Sequence, residues 1–170
     1  MFDFLRRKPN ATAEMVADAL FNVLIESEES NAQWAATFRD LEVDPDSGLC
    51  ELLYLRAVAL DIAVITGLRA SPRRDEVLDG YPARLERLLG ERYSTEDFQA
   101  RKGIYLESFE RAVRAGPGKL SEGKANPYWE IALKFAEFLG SKDIALVTIG
   151  ANFAQYLNKA HEFLKSVKIA

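Results

Sequence analysis

The sequence predicts an all-α fold: one domain over residues 1–170, a bundle of about six or seven helices and no sheet. Three observations predict it. Apolar residues recur at spacings of three and four along most of the chain. No stretch alternates apolar with polar residues, and no hairpin signal joins two apolar runs. At 170 residues, 48% of them hydrophobic and 28% charged, the chain has the size and composition of a single globular core.

The elements follow in order. Over 12–27, Glu14, Asp18 and Asn22 form a narrow polar stripe, with Met15, Val16, Ala19, Leu20, Val23 and Leu24 covering the rest. Trp34, Phe38 and Leu41 mark a shorter amphipathic helix. The stretch "DPDSG" (44–48) stops it, with Pro45 and Gly48 as breakers and Asp46 or Ser47 as the cap of a third helix from about Leu49 to Leu68. Ser71 and Pro72 open a fourth, which Gly80 and Pro82 must break or kink. "STED" (94–97) is a capping box for a fifth, carrying Phe98, Tyr105, Phe109 and Ala112. Residues 115–126 read as an interhelical loop. Asn126 and Pro127 then start a sixth helix with Trp129, Leu133, Phe135 and Phe138, and "GSKD" (140–143) ends it. The last helix lines up Leu146, Ile149, Phe153, Leu157, Ala160, Leu164 and Val167.

Charge and composition exclude several function classes. A net charge of −4 argues against nucleic acid as a partner. Residues 11–55 carry ten carboxylates against one arginine, Arg39, a surface suited to steering a basic partner. The single cysteine, Cys50, excludes an intramolecular disulfide and suits a reducing, cytoplasmic setting. In the N-terminal arm (1–10), "MFDFLRRK" puts apolar residues before basic ones, the reverse of a secretory signal. Such a short arm docks on its own domain or touches a membrane surface only weakly.

Two loops imitate ligand sites. Residues 118–124 have the spacing of a phosphate-binding loop, Gly118 to Gly123–Lys124. However, a helical pattern precedes them, Ala125 replaces the magnesium-binding hydroxyl, and the next helix starts after the lysine. No nucleotide cofactor is expected. Asp40, Glu42, Asp44, Asp46 and Glu51 fall at positions 1, 3, 5, 7 and 12 of a calcium loop, but Pro45 stands where glycine is required. Only weak divalent-cation binding is expected there. With one histidine, His161, a site built on several imidazoles is excluded, and a catalytic pair would need His161 to meet Cys50.

The third helix is the most informative. Over 52–68 it is apolar enough to suggest a membrane span, but Arg56 and Asp61 interrupt it and it is short for one, so a buried central helix is expected. Ala59, Ala63 and Gly67 give it a flat face for close helix packing. Arg56 and Asp61 lie about 140° apart and must find separate partners; Asp18, Glu107 and Glu110 are candidates for Arg56. The sequence therefore points to a non-catalytic helical interaction protein that binds a protein partner or itself. The alternative is a small-molecule binder or enzyme whose pocket is polarised by Arg56 and Asp61.

Overall fold

The computed structural model describes residues 9–25, 28–80, 82–90, 94–115, 126–141 and 145–170. Among them the chain forms α1 (Ala13–Leu24), α2 (Glu28–Asp40), α3 (Pro45–Gly67), α4 (Arg74–Asp79), α5 (Pro82–Leu89), α6 (Thr95–Ala115), α7 (Pro127–Phe138) and α8 (Leu146–Ser166). The fold is all-α as expected, with α4 and α5 dividing the broken fourth helix. One exception departs from the sheet-free expectation. Asn10–Ala11 (β1) and Lys168–Ile169 (β2) pair in parallel, Asn10 opposite Lys168. The Lys168 N–H donates to the Pro9 carbonyl (3.0 Å) and the Ala170 N–H to that of Ala11 (2.9 Å), clasping the two ends of the fold. Two residues per strand are too few to leave a periodic signal.

The core is organised around α3. Every residue from Glu51 to Val64 is buried, so this helix is enclosed on all sides. Its most extensive neighbour is α8, and α2, α6, α1, α4 and α7 complete the enclosure. Ala59 and Ala63 are fully buried, in keeping with a small-residue face under a close neighbour. No helix among the described residues is long and apolar enough to cross a membrane.

The helix ends follow local chemistry. Ser94 accepts from the Asp97 N–H (3.1 Å) and Asn126 from the Tyr128 N–H (2.9 Å), as expected of caps. The start of α3 corrects the sequence reading. Asp44 is its N-cap, accepting from the Ser47 N–H (2.9 Å), and Pro45 opens the helix instead of breaking the chain. Gly48 lies inside that first turn, where a Cβ would sit 2.5 Å from the Phe38 ring, so α2 and α3 close only over a glycine. Ser71 accepts from the Arg73 N–H (3.2 Å), and α4 begins three residues beyond Ser71. Met15, expected to be covered, is 58% exposed.

Candidate functional site

A helix buried on every side must match each charge it carries. In the buried stretch of α3 these are Glu51, Arg56 and Asp61, spaced by five residues. Successive steps of about 140° put Glu51 and Asp61 roughly 80° apart and Arg56 on the other side. The contacts obey this wheel. Glu51 and Asp61 meet α6, and Arg56 meets α8.

Glu51 is held in a compact cluster. The Tyr105 hydroxyl donates to its Oε1 (2.6 Å), and Arg101 Nη1 lies 2.9 Å from Oε2. The Arg101 guanidinium sits 4.4 Å from the centroid of the Phe138 ring, which Tyr105 meets edge-on. Burial raises the Glu51 carboxyl above the usual range, while the Tyr105 hydrogen bond and Arg101 oppose the rise. Burial, with the neighbouring carboxylate, also lifts Tyr105 well above its ordinary value. Asp61 ion-pairs with Lys102, yet burial dominates and its carboxyl is pushed up to about 6.

Arg56 donates from Nε to Asn152 Oδ1 (3.1 Å) and places its guanidinium 4.8 Å from the Tyr156 ring centroid. The carboxylates expected to reach it are engaged elsewhere or exposed: Asp18 pairs with Arg84, Glu110 with Arg114 (2.6 Å), and Glu107 faces solvent. Neither Arg56 nor Asp61 lines the concavities that lie among the described residues.

The acidic residues of 40–51 do not assemble. Asp44 is used as a cap, its carboxyl lowered by the Ser47 backbone and hydroxyl hydrogen bonds. Glu42 ends α2 with a positive φ of 57°, and Glu51 turns inward to Tyr105. Among the described residues no three His, Cys, Asp or Glu side chains are placed to hold one metal ion. The physical reason is the early start of α3, which winds positions 5 to 12 of the supposed loop into a helix and its cap. His161 shares a 2.8 Å hydrogen bond with Thr66, about 24 Å along α3 from Cys50, so the two do not form a catalytic pair. Burial lowers the His161 imidazole. The phosphate-loop look-alike (116–125) and the arm residues 1–8 lie outside the described residues.

Three concavities lie among the described residues, one of them a shallow one beside Asp18, Phe21, Arg84, Arg87 and Leu88. A polar one of about 520 Å³ opens beside the first turn of α3, with Glu51 and Arg101 in its wall and Asp44, Asp46 and Asp97 around it. An apolar groove of about 470 Å³ runs between α2 and the start of α8, lined by Trp34, Phe38, Leu41 and Ile149, with Gln33, Thr37, Ala145 and Thr148 completing it. The groove is beyond sequence reasoning because it joins residues more than a hundred positions apart. The Glu51 cluster had a readable sign, an acid set inside the apolar run "LCELLYL". Compared with known proteins, the chain matches no protein-family model, no curated protein and no solved structure.

Proposed function

We propose that this chain is a non-catalytic, cytoplasmic helical interaction protein that binds a protein partner or a second copy of itself, and that its contact surface is the groove between α2 and α8. The observation that carries this reading is the groove itself, an open concavity floored by Trp34, Phe38, Leu41 and Ile149. Apolar concavities with few polar groups are where partners gain most from excluding water. The alternative, a ligand pocket polarised by Arg56 and Asp61, has less support, because Arg56 bonds Asn152 of α8, Asp61 pairs with the half-buried Lys102 of α6, and neither lines a concavity among the described residues.

The test is site-specific photo-crosslinking in the producing cell. A photoreactive residue replaces Gln33, which is exposed and lines the groove; a control carries it at Glu110, also exposed and outside the groove. A discrete adduct from position 33, absent from position 110, is the expected result. Equal labelling from both positions, or none from either, sinks the reading.

A further inference from the structure

We infer that the occupant of the α2/α8 groove is an amphipathic helix whose polar flank is basic. This rests on the interaction reading above and adds the chemistry of the partner. Measured round α2 from Thr37, the apolar floor residues Leu41, Trp34 and Phe38 lie about 40–100° to one side. Exposed Asp40 and Glu29 lie about 60–80° to the other. The groove is therefore apolar at its floor and acidic along one lip. Arg39, the one base of α2, stands about 80–100° further round the helix from that lip, on the side away from the apolar floor. Among the described residues of the facing wall, 146–158 of α8 contain no Asp, Glu, Lys or Arg. The lip belongs to the segment 11–55, with ten carboxylates against one arginine, so the long-range field at the groove is of the same sign.

This pairing of floor and lip sets what fits. From Gln33 to Leu41 the groove follows α2 for about 12 Å, a little over two helical turns. That length suits a helix presenting apolar side chains at i, i+3 or i+4, and i+7. Its Lys or Arg residues then stand over Glu29 and Asp40, where they steer association and set orientation more than they add affinity. An acidic amphipathic helix of the same apolar pattern meets like charge along the lip and is disfavoured.

The experiment uses the full-length chain with Trp129→Phe, which leaves Trp34, in the groove wall, as the lone tryptophan reporter. The probe is a synthetic helical peptide of about four turns, with leucine on one face and lysine elsewhere; its counterpart carries glutamate in place of lysine. The lysine peptide is expected to shift Trp34 emission to the blue saturably. The glutamate peptide binds at least about tenfold more weakly. Replacing Glu29→Gln and Asp40→Asn together weakens the lysine peptide several-fold and flattens its salt dependence. Thr37→Arg, an exposed substitution at the groove edge, abolishes binding while its circular dichroism and urea midpoint match the parent protein. Equal binding of the two peptides, no binding at low salt, or full binding to Thr37→Arg overturns the proposal. A concentration-dependent dimer lost in Thr37→Arg, with no peptide binding, also overturns it and identifies the occupant as a second copy. An adduct from position 33 with no lysine-peptide binding leaves the interaction reading standing and refutes only the partner's chemistry.

Discussion

At position 42 a glutamate holds a backbone conformation that L residues resist. Its φ is 57°, and around it the Val43 N–H reaches the Phe38 carbonyl (2.9 Å) and the Glu42 N–H that of Arg39 (3.0 Å). This is a Schellman ending, the same as at α7, where Gly140 (φ 63°) and Ser141 reach Glu137 and Ala136 at 3.1 Å each. The left-handed region costs a non-glycine residue about 1–2 kcal/mol, and glycine returns part of that through its freer unfolded state. Glu42→Gly is therefore expected to stabilise the protein by about 0.5–1 kcal/mol, and Gly140→Ala to destabilise it by about 1 kcal/mol. Urea melts of the two variants check both signs; a loss of stability in Glu42→Gly removes the strain assignment. Asp61 gives a second test at this scale. Its carboxyl rises from an ordinary 3.8 to about 6, mainly through burial. A group raised in the native state contributes stability that is fully present below pH 3.8 and lost as pH rises through about 6. Asp61→Asn cannot titrate, so the stability of wild type relative to this variant should fall by about 2–3 kcal/mol between pH 4 and 7. Glu51 and His161 titrate in both proteins and cancel in the difference. A constant difference across that range would mean that Lys102 fully compensates the burial.

At the scale of elements, most helices were legible because apolar spacing and capping chemistry agree. Asn126–Pro127 is read correctly as cap and first helical residue, and the structure uses it so. Asp44–Pro45 is the same device, yet the sequence suggests a stop there, because Gly48 follows and two breakers outvote one cap. What resolves it is tertiary: Gly48 sits under the Phe38 ring, and the helix passes through it. Intrinsic propensity favours alanine over glycine inside a helix by about 1 kcal/mol. Packing opposes it, since an added Cβ would stand 2.5 Å from a ring that is 1% exposed. Overpacking is the larger effect, so Gly48→Ala is expected to cost about 1–3 kcal/mol net and to loosen α2 from α3. Thermal unfolding monitored through Trp34 in the Trp129→Phe background measures this; an unchanged or raised midpoint would show that the ring moves aside freely. The same reasoning makes Ala63→Leu costly by a similar amount, because Ala63 is fully buried in the face that other helices cover.

Over the whole molecule, α3 is a charged axle in an apolar housing, and its ties decide how the surrounding helices are placed. Sequence patterns identify Arg56 and Asp61 as residues needing partners from other helices, because a buried charge in an apolar run announces itself. They do not identify the partners. Those depend on how α6 and α8 pack around α3, which no local spacing encodes, and the groove is illegible for the same reason. Arg56 illustrates the difference. A carboxylate is the natural expectation for an enclosed guanidinium, whereas Asn152 supplies a neutral acceptor at 3.1 Å and Tyr156 a ring face. Hydrogen bonds involving a charged group contribute about 1.5–3 kcal/mol, and an orphaned buried acceptor costs about 1–3 kcal/mol. Arg56→Met and Asn152→Leu are each expected to lower stability by about 2 kcal/mol, the first by stranding the amide and the second by removing an acceptor from the charge. The double variant should be only slightly less stable than either single one, because the second change removes a group whose partner has already gone. A urea-melt cycle with a coupling of about 1.5 kcal/mol or more establishes Arg56 as a tie between α3 and α8. Strict additivity would detach Arg56 from Asn152. A level or raised stability in Arg56→Met would go further and return Arg56 to the role of a charge held for a ligand, because binding residues are commonly kept at a cost to stability.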